Sequence, residues 1–157
     1  MKENLSYKVR VTDFLSSFIY DELNVKHVFM LSGAGSMHLT DGIASHKKLK
    51  PICVHHEQSA SMAVEAYARA SENFGVAFFS TGPAATNAIT GLAGAWQDSV
   101  PCLFISGQVK RSESTHYMNL PNIRQLGVQE LDIIPIIKSI CKYSTQVKKP
   151  EDIKYEL

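Results

Sequence analysis

The sequence predicts an α/β domain, a parallel sheet with helices on both faces, built as a single three-layer unit. Three observations predict it. Short apolar runs of five or six residues recur along the chain. Segments with helical spacing separate them. The runs are apolar almost throughout, as expected for strands covered on both faces. At 157 residues the chain is long enough for one domain with its own core.

The elements follow in order. Val11, Phe14, Leu15, Phe18, Ile19 and Leu23 mark one face of an amphipathic helix beginning after Val9. His27 to Leu31 is a first strand, Ser32 to Ser36 a turn, and Met37 to Ala44 a short helix. Pro51 to His55 is a second strand, and Glu57 to Ser71 a long alanine-rich helix. Gly75 to Ser80 is a third strand. Thr81-Gly82-Pro83 then opens a helix that runs to about Trp96, with Pro83 suited to the first helical position. Pro101 to Ser106 is a fourth strand, and the polar stretch from Gln108 to Leu126 a long loop. Leu131 to Ser139 is expected as a short helix and Lys142 to Val147 as a fifth strand. The residues from Pro150 to Leu157 read as the first turns of a helix, which suggests a domain cut near its end or a subunit completed by a partner.

Composition narrows the function. Lys+Arg is 16 against 15 for Asp+Glu, so no basic excess points to nucleic acid. No apolar run approaches the ~20 residues of a membrane span. Met1 to Arg10 lacks the apolar segment of a secretory signal. Cys53, Cys102 and Cys141 are odd in number and show no CxxC spacing, so neither a disulfide framework nor a metal site is expected. The expectation is a cytoplasmic protein with reduced, mostly buried thiols.

In a parallel sheet, ligands bind beyond the carboxyl ends of the strands. Glu57 stands there, at the start of a helix. Its bland reading is a solvated carboxylate favoured by the helix dipole. The alternative is a carboxyl desolvated by a ligand, able to share a proton with a heterocyclic nitrogen. The small residues Ala60, Ala63, Ala66, Ala68 and Ala70 offer a close-packing face beside it. Ser80 to Asn87 forms a small-residue turn into a helix. It suits a flat ring or a phosphate, or simply a tight turn, and it lacks the Gly and Lys pattern of a P-loop. Ser32-Gly33-Ala34-Gly35 hints at a dinucleotide loop, but His38 stands where a third glycine would be required.

Together these segments are ordered as in a known family. The run comprises His56-Glu57-Gln58, Ala66-Tyr67-Ala68-Arg69-Ala70, Gly82-Pro83-Ala84-Ala85-Thr86-Asn87, Thr90-Gly91-Leu92-Ala93, Asp98-Ser99-Val100-Pro101, Ser106-Gly107-Gln108-Val109 and Val128-Gln129-Glu130. It resembles the N-terminal, pyrimidine-binding domain of thiamine diphosphate enzymes of the acetolactate synthase type. The resemblance implies the thiamine diphosphate-binding fold. It implies that Glu57 bonds N1′ of the aminopyrimidine and activates the cofactor. Ser80, Pro83 and Asn87 match positions lining the pyrimidine. Gly33, Ala34 and Gly35 match the loop facing the reacting end. Gln129 and His38 are implied as substrate-adjacent.

The family holds Mg²⁺ and the diphosphate with a Gly-Asp-Gly motif in another domain. This chain has no such motif. The expectation is therefore one domain over 1–157, binding the pyrimidine end only, with the central and diphosphate-binding domains absent. No metal ligands are expected in this chain. The implied activity is decarboxylation and carboligation of a 2-oxo acid at a site between two chains, in a homodimer or higher oligomer. Ala84 where the family usually has Gly, Ser32 where it has Pro, and Ala66 where it has Gly bear on which 2-oxo acid is used. Two other readings stay open: a natural short subunit of a two-chain 2-oxo acid decarboxylase, and a non-catalytic binding module that keeps the fold.

Overall fold

The structure, a computed structural model, describes residues 8–157. Most of the Met1 to Arg10 segment lies outside the described residues. The first helix, α1 (Val11–Ser17), passes into a wide π turn at Phe18–Glu22, where the N–H of Leu23 reaches back to the Phe18 carbonyl. The chain leaves it through Asn24, at φ 52°. The amide of Asn73 donates to the Leu23 and Asn24 carbonyls, which would otherwise be orphaned at the helix end.

Four parallel strands form the sheet in the order β2-β1-β3-β4: β1 (His27–Met30), β2 (Lys50–Cys53), β3 (Gly75–Phe79) and β4 (Cys102–Ser106). Between them run α2 (Met37–Ser45), α3 (Glu57–Ser71), and the pair α4 (Pro83–Asn87) and α5 (Ile89–Gln97). Side chains alternate across the sheet. Val28, Met30, Val76 and Phe78 join Leu15 of α1, Ile19 of the π turn and Ile43 of α2 in one core. Ala77 and Phe79 join Ala60, Val64 and Ala88 on the other face, with Phe29 and Phe104 beside them. All of β3 is buried, so it is the spine of the domain. Hydrophobic burial stabilises the fold by roughly 1.5–3 kcal/mol for each fully buried large side chain such as Phe78 or Ile43.

The three-layer α/β prediction holds, and α3 has the predicted bounds. Four expectations need correction. Lys142–Val147 is not a strand; among the described residues the sheet has four strands. Its alternation is real, but no neighbouring strand pairs with it. The helix from Thr81 to Trp96 is broken into α4 and α5 at buried Ala88, whose N–H bonds the carbonyl three residues back, at Ala85. The helix expected over Leu131–Ser139 shrinks to α6 (Ile134–Ile137): Pro135, in its first turn, fixes the start, where Asp132 Oδ1 accepts from the Ile134 N–H at 3.2 Å. Cys53 is exposed, and Cys102 and Cys141 are half-buried. Cys53 lies on β2, an exposed edge strand, so an apolar run there does not imply burial. Burial pushes the Cys102 thiol up to about 11, with the nearby Glu65 charge adding to it.

On β2 the N–H groups of Lys50 and Val54 face inward, bonding the carbonyls of Lys26 and Met30. Alternation therefore turns the imide nitrogen of Pro51 to the outer side, where its missing N–H leaves no ladder bond unmade. The last residues form a turn at Pro150–Asp152 and α7 (Ile153–Glu156), as the sequence suggested.

Candidate functional site

The strand order reverses between β1 and β3, so the loops following these two strands face each other across the carboxyl edge of the sheet. Both loops are built of small residues, and the reason is contact. A Cβ on Gly33 would lie 2.4 Å from Ser80 Oγ, and one on Gly35 would lie 1.7 Å from Thr81 Oγ1. A Cβ on Gly107, just past β4, would lie 1.8 Å from the Gly35 carbonyl. The loops after β1, β3 and β4 therefore close on one another with no room for side chains.

Glu57 opens α3 at the carboxyl side of β2. The preceding His56 caps the helix, its Nδ1 accepting from the Gln58 N–H at 3.1 Å. The Glu57 side chain turns inward and is 8% exposed. Its Oε2 accepts from Asn87 Nδ2 at 3.0 Å, across from the end of α4. Oε1 accepts no hydrogen bond from the described residues, and Glu57 enters no ion pair among them. A solvated helix-start glutamate would not look like this. A buried carboxylate with one neutral partner is an acceptor that a ligand donor can complete. In the loop after β3, against Gly35, the buried Thr81 hydroxyl has no hydrogen-bond partner among the described residues.

The expected site residues are thus largely brought together. Glu57 and Asn87 are bonded; Gly33 packs on buried Ser80; Gly35 packs on Thr81. Pro83 starts α4 from an exposed position, and Ala34 is exposed in the loop after β1. Gln129 reaches the cluster through its backbone: a Cβ on Gly82 would lie 2.0 Å from the Gln129 carbonyl oxygen. His38 stands apart. It is exposed on the first turn of α2 and makes no side-chain hydrogen bond among the described residues.

Three residues escaped the sequence reading as individual sites: Thr81, Gly107 and Glu130. Glu130 Oε1 accepts from the N–H of Thr115 at 2.7 Å and its hydroxyl at 2.9 Å, while Oε2 accepts from the N–H groups of Leu126 at 3.0 Å and Gly127 at 3.3 Å. Burial works against its charge, but the bonds from Leu126, Thr115 and Ser114 outweigh it and bring the carboxyl down to about 2. Its place in the Val128-Gln129-Glu130 run was the one available signal.

The arrangement fits an aminopyrimidine ring. It offers a buried acceptor at Glu57, one oxygen of which takes no donor from the described residues and could meet a ring N–H. Among the described residues, no group of acidic, histidine or cysteine side chains could hold a metal ion. No helix among them is long and apolar enough to cross a membrane.

Comparison with known proteins bears on the same residues. Residues 10–136 match the family model described as thiamine pyrophosphate enzyme, N-terminal TPP binding domain. The acetolactate synthase large subunit of Buchnera aphidicola subsp. Schizaphis graminum is 38% identical over 129 residues, covering 82% of this chain and 21% of that protein. The acetolactate synthase large subunit of Cyanidium caldarium is 40% identical over 132 residues, with the same shares of 82% and 21%. That of Lactococcus lactis subsp. lactis is 36% identical over 132 residues, covering 84% of this chain and 21% of that protein. The chain spans about a fifth of the length of the curated relatives it matches. The matched segment contains β1 to β4 and every glycine contact that closes the carboxyl edge, and so the chain belongs to the thiamine pyrophosphate enzymes, as an N-terminal TPP-binding domain of the acetolactate synthase-like kind.

Proposed function

We propose that this chain is the pyrimidine-binding half of a thiamine diphosphate active site acting on a 2-oxo acid. Glu57 is the group that exchanges a proton with N1′ of the aminopyrimidine. The observation that carries the reading is the buried Glu57 carboxylate, bonded by Asn87 at the carboxyl edge and lacking a donor at Oε1. When bound, the cofactor supplies the electron sink for decarboxylation and carboligation. The chain's own residues bind, orient and move a proton. Asn87 fixes the rotamer of Glu57. Ser80 and Pro83 border the ring, and the Gly33-Ala34-Gly35 loop faces its reacting end. Gln129 sits toward the substrate side, and His38 at its outer margin.

The diphosphate and Mg²⁺ are held outside these residues, because the sequence has no Gly-Asp-Gly motif. The working enzyme is a dimer or larger, with the site shared between chains, and it operates in the cytoplasm. The exposed outer side of α3, with Met62 and Ala66, supports the dimer, and the three free thiols suit a reducing compartment.

The test is Glu57→Gln in the assembled enzyme. The amide keeps the shape and can still accept from Asn87, but cannot exchange the proton. General acid–base steps are worth roughly 10²–10⁴-fold, so C2–H exchange of the bound cofactor in deuterated water should slow by that order. The melting point should barely move. Unchanged exchange with a lowered melting point would assign Glu57 to structure alone.

A further inference from the structure

Residues 108–131 form the longest stretch of this domain without regular α-helix or strand, yet two side chains pin its last residues. Gln108, just past β4, donates from Nε2 to the Leu131 carbonyl at 2.9 Å, and its Oε1 accepts from the Val109 N–H at 2.9 Å. Glu130 gathers the other side. One oxygen takes both donors of Thr115, and the other takes the consecutive N–H groups of Leu126 and Gly127. A single carboxylate thus ties residue 115 and residues 126–127 to the position next to Gln129.

Gln129 is held in a costly conformation between these anchors. Its φ is 62°, in the left-handed region that non-glycine residues adopt rarely. Such a residue persists only where its surroundings over-determine it. Its carbonyl rests on Gly82, itself at φ 60°, at the N-terminus of α4. Gly82 lies between Thr81 and Pro83, in the turn that borders the ring in the function proposed above. Gly127 is likewise buried where a Cβ would meet the Glu113 carbonyl and Val109, each at 2.7 Å, so the loop is folded down on itself.

We propose that Glu130 is a positioning residue: its carboxylate latches the 115–127 loop and thereby holds Gln129 in the left-handed conformation against Gly82, at the mouth of the cofactor site. The latch itself rests on the observed contacts, and its role at a cofactor site rests on the function proposed above. Glu130 makes no hydrogen bond to Glu57, Ser80, Thr81 or Asn87. Its donors are neutral, and among the described residues it enters no ion pair, so the latch does not depend on a surface cation.

Glu130→Gln tests it in the 157-residue chain by nuclear magnetic resonance. The amide keeps the shape but turns one acceptor into a donor facing N–H groups. Hydrogen bonds to a charged group contribute enough that losing one raises exchange roughly ten- to hundredfold, so the amides of Thr115, Leu126 and Gly127 should speed by that factor. The Gln129 carbon shifts should leave the left-handed range, and the Gln129–Gly82 proton contact should vanish, while α3 and β3 keep their protection. Gln129→Gly added to Glu130→Gln should restore the contact with Gly82, since glycine adopts the conformation without cost. If Glu130→Gln leaves the Gln129 shifts and the Gly82 contact unchanged, the latch is wrong. Loss of protection throughout α3 and β3 would also overturn it, by making Glu130 a general stability residue. The Glu57→Gln exchange measurement in the assembled enzyme separates the two proposals: unchanged C2–H exchange there counts against the cofactor reading and leaves the latch result standing.

Discussion

Glu57 and Glu130 show how differently two carboxylates are used within one domain. Glu57 is buried with a single neutral donor, whereas Glu130 is half-buried and collects donors from three backbone N–H groups and from hydroxyls. The first keeps one oxygen free of donors from the described residues, as the proposed function requires; the second uses both on the chain. Their pH behaviour follows for Glu130. Its folded carboxyl lies at about 2, below the ordinary 4.5, so its contribution is fully present above 4.5 and is lost as pH falls toward about 2. Protection factors of Thr115, Leu126 and Gly127 should therefore decline across that window and not above it, and Glu130→Gln should flatten the decline. Added salt should change little, because no ion pair is involved. Glu57 was legible in the sequence from its place after a strand end. Its bond to Asn87 was not, because a contact across 30 residues leaves no local pattern. Glu130 was hidden for the same reason: its donors at 115 and 126–127 become neighbours only when the loop folds back.

At the scale of elements, the site depends on how closely α3 and α5 approach. Ser61 turns its hydroxyl back to the Gln58 carbonyl, which clears space for Gly91 of α5. A Cβ on Gly91 would stand 2.3 Å from Ser61 Oγ and 2.6 Å from the Ser61 carbonyl carbon. Gly91→Val should therefore force the two helices apart and cost about 1–3 kcal/mol, the usual penalty of overpacking. Chemical denaturation should show this as a lowered midpoint. Because α3 starts at Glu57 and α5 follows Asn87, the variant should also disturb the Glu57–Asn87 bond, visible in the Asn87 side-chain amide signals. The elements most legible in the sequence were those whose pattern is local: α3, with its alanine-rich run, and β3, apolar from end to end. Lys142–Val147 was misread because a strand exists only with a partner, and pairing is a property of the whole sheet. The break at Ala88 was missed although Asn87, Thr90 and Gly91 beside it are weak helix formers, because the small and apolar residues on either side read as one continuous run.

At the scale of the whole molecule, the domain leaves apolar side chains outward, including Met62 on α3 at 47% exposure and Trp96 on α5 at 47%. Exposed apolar surface of this kind marks contact with other protein. Sedimentation over a range of concentrations should show dimers or larger species growing with concentration; a strict monomer at the highest concentration would count against a shared site. The sheet has its own outward face in β2, and here the consequence runs the other way. An open strand invites a stranger to add itself, copy after copy, into fibres. Pro51 removes a donor from the outer rim of β2, and Lys50 beside it places a charge there, so an incoming strand finds a broken ladder and a repelling cation. The proline contributes little to the native fold, because its nitrogen faces away from β1. Pro51→Val should accordingly leave the unfolding midpoint nearly unchanged, within about 0.5 kcal/mol as for an ordinary surface change. It should shorten the lag before thioflavin-positive aggregates form under agitation. A residue that adds little to holding this domain together is then one that keeps its copies from growing into each other.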